Sequence, residues 1–215
     1  MADGCGLLFL RVVGTLWAYL HRGYVWLSRI THCRGFGIQS PSAFAFVCHV
    51  VNERAPYYAY TPLKERFSHL DGMQRKRYRL YLRLANHLQP TAIYTVGASR
   101  NEARDAYWQA GCRKAQCHHV RLDSATTLPF VGKEQQVIVC TPPLSPAHPL
   151  YESLLLQAPA GLVWVVEHIH SNRTARRRWQ QLVADERTGV TFDLYDCGIV
   201  FFDHLRPKQH YVVNF

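Results

Sequence analysis

The sequence predicts an α/β fold: a mostly parallel sheet covered by helices on both faces, opened by a helical cap and closed by antiparallel strands. Three observations predict it. Short unbroken apolar runs, QVIVC (136–140) and GLVWVVE (161–167), alternate with the helical segments NEARDAYWQAG (101–111), PLYESLLLQ (149–157) and NRTARRRWQQLVADE (172–186). Strands buried on both faces read as continuous apolar runs, which points to a parallel sheet. The segment before residue 91 carries helical patterns, and the chain ends in two strand-like runs, TFDLYDCGIVFF (191–202) and HYVVNF (210–215), with no helix between them.

The elements follow in order. A first helix is expected over about 7–30, then a Gly-containing connector, THCRGFGIQSP (31–41). Ser40 and Pro41 form a helix start, a capping hydroxyl followed by proline at the first helical position. Phe44, Val47, Cys48 and Val51 recur at the spacing of one buried face, and the helix should stop before Pro56. A longer helix over 71–88 places Tyr78, Tyr81, Leu82, Ala85 and Leu88 on one side and several arginines on the other. TAIYTV (91–96) and QCHHVRL (116–122) complete the strands. The expected organisation is a helical N-terminal cap over 1–90 and an α/β core over 91–215, built as one compact unit of 215 residues.

A hydrophobic content of 48% with 19% charged residues excludes a disordered chain. The formal charge of +10 favours anionic partners. Basic helices interleaved with aromatic residues, RKRYRLYLR (75–83) and RRRWQQ (176–181), suit phosphates and bases, yet Tyr78 and Tyr81 also fit a buried helix face, and the basic clusters read equally as solvated faces. The seven cysteines form no regular framework, so reduced thiols in a cytoplasmic protein are the simpler expectation. CRKAQCHH (112–119) is the densest thiol and imidazole group, but consecutive strand residues cannot all face one ion, and no metal is expected. GLLFLRVVGTLWAYL (6–20) is interrupted by Arg11 and is short for a membrane span. It reads as a docking amphipathic helix, with interfacial attachment as the alternative.

The connector HCRGFGIQSPSAF (32–44), the stretch NERAPYYAY (52–60) and the terminal GIVFF and KQHYVVNF (198–202 and 208–215) resemble a methyltransferase-like group common in Bacteroidota. The whole arrangement resembles the class I S-adenosylmethionine-dependent methyltransferases, with a Rossmann-like seven-stranded sheet ending in an antiparallel strand. The resemblance implies S-adenosylmethionine as cofactor, held by a glycine loop, by an acid ending the second strand and by a polar position after a later strand. Those positions fall on Gly97, Ala98 and Ser99, on Asp123 and on Thr141. The loop is altered: Thr95 stands where an acid is usual, and the later glycine is replaced at Arg100 or Asn101. Asp123 alternatively just begins the turn DSATTLP. Only about 40 residues separate Gly97 from the strand at 136–140, and one crossover takes about 30 residues, so a middle strand–helix unit is expected to be shortened or missing.

VVEHIHSN (165–172) resembles the polar strand end of the same group, which makes Glu167, His168 and His170 the catalytic candidates. A histidine there suits proton removal from a hydroxyl or amine acceptor. If the strand continues, Glu167 and His168 point to opposite faces. The alternative is that Glu167 and His168 bond loop backbone and His170 caps the next helix. Two functions follow: methyl transfer to an acceptor the sequence does not identify, or a catalytically inactive module of the same fold used for binding or assembly, with nucleic acid among its partners. A membrane partner is not expected, and the oligomeric state is not legible.

Overall fold

The computed structural model describes residues 20, 23–31, 36–124, 128, 136–156, 159, 161–203 and 207–215. Most of the apolar run at 6–20, and residues 32–35 of the connector, lie outside the described residues. No helix among those described is long and apolar enough to cross a membrane.

The helical half is set by local chemistry. A short helix, α1 (23–28), precedes α2 (Pro41–Phe46), whose N-terminus is capped by the Ser40 hydroxyl accepting from the Ala43 amide. The helix then widens into a π-helical turn, Val47–Val51, and ends at Asn52. Its buried residues are Ala43, Phe46, Val47, Val50 and Val51, whereas Phe44 is exposed. Two overlapping helical registers exist in this stretch, and the one starting at Ala43 is used. After α3 (Tyr60–Arg66), α4 (Gly72–Leu88) opens on a capping box between Asp71 and Gln74. It ends with Gln89 in the left-handed region (φ 48°), and Pro90 blocks its continuation.

The sheet contains β1 (Ala92–Gly97), β2 (Gln116–Arg121), β3 (Val137–Thr141), β4 (Leu162–Glu167), β5 (Val190–Asp193), β6 (Cys197–Phe201) and β7 (Gln209–Val212). Helices α5 (Glu102–Gly111), α6 (Pro149–Leu156) and α7 (Arg173–Ala184) alternate with the parallel strands. The strand order is β2-β1-β3-β4-β6-β5-β7. β1 to β4 are parallel, and β6 is antiparallel to both β4 and β5. This is the Rossmann-like α/β sheet with antiparallel strands at its carboxyl-terminal side. The last run differs from a simple hairpin: β7 reverses direction relative to β6 but passes β6 to pair with β5, and is therefore parallel to its partner. Among the described elements β2 and β7 are the edge strands, and β2 leads to β3 through residues 122–136, in keeping with a shortened middle.

Two apolar layers flank the sheet. On one face, α2, α4 and α5 pack Val47, Tyr81 and Trp108 against Ile93, Ile138 and Val165. On the other, α6 and α7 pack Leu150, Leu154, Trp179 and Leu182 against Val139 and Trp164. Each fully buried large side chain contributes about 1.5–3 kcal/mol. Tyr81 stacks on Trp108 with ring centres 4.4 Å apart and planes 3° from parallel, which locks α4 to α5.

The basic helix faces divide. On α7, Arg173, Arg176 and Arg177 are solvated. On α4, Arg77 and Arg83 are buried, contrary to a fully solvated arginine side. Arg83 donates to the Val50 and Val51 carbonyls at 2.6 and 2.9 Å and so satisfies acceptors at the end of the π-helical turn.

Candidate functional site

The chain runs from β1 outward to β2 and then back past β1 to β3, so the strand order reverses between β1 and β3. The crevice at the carboxyl ends of those two strands is where open α/β sheets place ligands. Gly97, Ala98 and Ser99 stand there, with Ala98 and Ser99 exposed. A Cβ built on Gly97 meets nothing nearer than the Ser99 carbonyl at 3.9 Å, so the surface above this turn is open. Arg100 does not fill it: its guanidinium turns to Asp105 at 3.0 Å. Asn101 is used as the N-cap of α5, accepting from the Arg104 amide, and its own amide donates to the Tyr78 hydroxyl. Thr95, where an acid is usual, lies buried and bonds to Asp105 and to the His118 carbonyl.

Asp123 lies two residues beyond β2, in the row of strand ends that includes Gly97, which is paired with Arg121. Its carboxylate is at an exposed residue, and its carbonyl is held by His148 of the loop after β3 at 2.8 Å. Thr141 is different. It is fully buried, its hydroxyl donates to the Pro142 carbonyl at 2.8 Å and accepts from the Trp164 indole at 2.9 Å. Its one donor and one of its two acceptor sites are spent within the protein.

At the end of β4, Glu167 is 8% exposed and sits among three donors. Tyr81 donates to one oxygen at 2.8 Å, Arg104 donates to the other at 3.0 Å, and the Arg77 Nε lies 3.8 Å away. Arg77 also bonds to Asp196 at 2.7 Å. Burial opposes both guanidinium charges, but Tyr81, Asp196 and Glu167 beside Arg77, and Cys140, Glu167 and Tyr81 beside Arg104, outweigh it and hold both pKa values above the ordinary arginine value. These groups border a cavity of about 290 Å³, shared with Asn101 and His168. The β4 strand does not continue past Glu167. His168 adopts φ 57°, anchored by its amide on the Asp196 carbonyl, and this left-handed turn brings Glu167 and His168 to one cavity instead of opposite faces. The His168 Nδ1 lies 3.3 Å from Arg77 Nη1. Burial raises the pKa of Cys140, beneath this group, so it is held as a neutral thiol.

His170 belongs to a separate group. Its Nε2 lies 2.8 Å from Asp193, which also accepts from Arg29 at 2.9 Å, from the Tyr195 amide at 2.8 Å and from the Trp179 indole at 3.3 Å. The imidazole stacks on Tyr195. His170 does not cap α7, whose N-cap is Asn172. The three catalytic candidates are thus not brought together: Glu167 and His168 share one cavity, and His170 ties the residue after α1 to β5. Burial alone would raise the Asp193 pKa, but the His170 bond and the Arg29 charge hold it well below the usual carboxylate range. A depressed pKa stabilises the fold above the unfolded value near 4 and loses that contribution as pH falls below it. Asp193→Asn is therefore expected to lose about 2 kcal/mol at pH 7 and to flatten the decline in stability below pH ~4. Urea titrations of both proteins from pH 2.5 to 7 measure this, and equal slopes would remove the assignment.

No family model and no curated protein matches the chain. Among solved structures it is similar to the SAH-bound Podospora anserina methyltransferase PaMTH1, at 10% identity and a TM-score of 0.47, over 75% of this chain and 93% of that one.

The sequence reading missed Arg77, Arg104 and Asp196 around Glu167, and Arg29 and Asp193 around His170. Two of them carried a signal. Arg77 lies four residues before Tyr81 on α4, and Arg104 lies among Ala103, Tyr107, Trp108 and Gly111 on the buried side of α5. A charge on an apolar helix face implies a buried counter-charge. In β2, alternation turns Cys117 and His119 one way and His118 the other, where it stacks on Tyr94. Among the described residues no group of three or more His, Cys, Asp or Glu converges as metal ligands do.

Proposed function

We propose that this chain is a methyltransferase-like protein of the S-adenosylmethionine-dependent type whose cofactor site has decayed, and that it acts by binding, not by methyl transfer. One observation carries the reading. Arg104, in the first turn after the glycine loop, runs buried past Cys140 to bridge Glu167, so the polar strand-end group that would face an acceptor is neutralised inside the protein. Thr141 and Thr95 agree with it, since the hydroxyl of each is already bonded within the fold. The residues present therefore do not fit the donor set that the cofactor requires, and no transfer step is assigned to them.

A second reading, retained methyl transfer, is favoured by the open surface above Gly97 and by Asp123 at the neighbouring strand end. Thermal unfolding with S-adenosylmethionine and S-adenosylhomocysteine separates the two. The expected result is an unchanged midpoint at millimolar ligand. A ligand present at 100 times its Kd stabilises by about 2.7 kcal/mol. A rise of that size, lost in Asp123→Asn, would overturn the decayed-site reading in favour of the second.

A further inference from the structure

A cleft of about 730 Å³ lies away from the strand ends, between the α2–α3 connection and the outer face of α4. That volume falls within the range of small-molecule sites, roughly 300–1,000 Å³. Its walls carry Arg54, Arg75, Lys76, Arg79 and Arg83, against one acid, Glu53. Glu53 is turned onto its own chain, accepting from the Arg54 and Ala55 amides at 2.6 Å, bonds that hold its pKa down. Among the described residues, ion pairs join Arg29, Arg66, Arg77, Arg100, Arg104 and Arg187 to acids. None joins Arg54, Arg75, Arg79 or Arg83 to one.

We propose that this cleft is a binding site for a phosphate-bearing anion. Arg75, Arg79 and Arg83 follow one another at i, i+4 and i+8, so three like charges stack along one side of α4. Such pairs repel, and an anion between them relieves the repulsion. The Arg75 and Arg79 guanidinium groups are held ready by apolar and backbone contacts that leave donors over, whereas Arg83 adds charge while its three nitrogens donate to the Val50 and Val51 carbonyls and the Tyr60 hydroxyl. Arg79 stacks on the Tyr60 ring at 4.6 Å, and Arg75 spends one nitrogen on the Leu70 carbonyl. A tetrahedral phosphate supplies several acceptor oxygens, two of which match the planar guanidinium fork of arginine. Lys76, held over the Phe215 ring at 4.4 Å, adds charge at the rim. This site is independent of the strand-end crevice and of whether a cofactor binds there.

Calorimetric titration of the full chain with pyrophosphate and with a 12-nucleotide single-stranded RNA tests the site. Arg54→Gln, which alters an exposed side chain, and Arg75→Gln are expected to weaken binding about tenfold each. The solvated α7 pair Arg176→Gln/Arg177→Gln, which removes one more charge than either cleft variant, is the control and should change it less than twofold. Pyrophosphate binding that follows this pattern identifies a free phosphate ligand. RNA binding that follows it, with pyrophosphate competing only weakly, identifies a nucleic-acid backbone. No binding of either probe, or equal weakening by the control pair and by both cleft variants, would overturn the proposal.

Discussion

Glu167→Gln is expected to destabilise the fold by about 3–5 kcal/mol, because it removes the carboxylate that faces both buried guanidinium groups. In the native protein Arg77 and Arg104 are 4% and 5% exposed. The carboxylate accepts from Arg104 and from Tyr81, and attracts Arg77 from 3.8 Å. Glutamine has the same shape but turns one acceptor oxygen into an NH₂, which conflicts with the Arg104 guanidinium or, turned the other way, makes the Tyr81 hydroxyl accept instead of donate. The lost attraction and the lost acceptor act together. Urea denaturation should show a lower midpoint at an unchanged slope, the sign of a stability change without a change in exposed surface. The double variant Arg104→Met/Glu167→Met should recover much of the loss, since well-packed apolar residues often replace a buried ion pair without penalty. A loss below about 1 kcal/mol in Glu167→Gln would show that the carboxylate is not held in the network described, and would return it to the list of groups free to act on a ligand.

That same cluster shows where the sequence was legible. VIVC and LVWVVE announced central strands because a strand sandwiched between helices has no polar side, and β3 and β4 are buried along their whole length. Ser40–Pro41 marked α2 because a helix start is solved by residues adjacent in the chain. Parallel strands put all carboxyl ends on one edge, so Gly97, Asp123 and Thr141 had to lie along one rim once the sheet was recognised. Their chemical state was not legible. Thr141 is consumed by Trp164, a partner 23 residues later on a neighbouring strand. His168 breaks the strand by a left-handed turn anchored on Asp196, and no local pattern distinguishes that histidine from one that continues the alternation. Likewise β7 follows β6 in the chain but pairs beyond it with β5, a choice made by tertiary packing. In α2 a one-residue offset in register exposed Phe44, because two apolar series overlap there and the sheet surface decides between them.

Gly111→Ala tests the packing that underlies all of this, and its sign is opposite to what helix propensity gives. In a helix, replacing glycine by alanine ordinarily stabilises by roughly 1 kcal/mol. Gly111 is the last residue of α5, and its φ is not in the left-handed region, so no backbone strain explains its identity. Its reason is proximity: a Cβ there would lie 2.2 Å from the Leu82 carbonyl oxygen and 2.8 Å from the Ala85 Cβ of α4. Neither atom is the free end of a flexible side chain, so relief requires the two helices to separate. Separation would pull Trp108 off Tyr81 and loosen Tyr78 from Tyr107, the stacked rings that join α4 to α5. It would also draw Arg104 away from Glu167, since that bond spans from α5 to the end of β4. The expected loss is about 3 kcal/mol, read as a fall in melting temperature together with a loss of near-ultraviolet circular dichroism from Trp108. A melting temperature raised by the substitution would mean that α5 does not approach α4 this closely, and the bridge to Glu167 would lose its geometric basis with it.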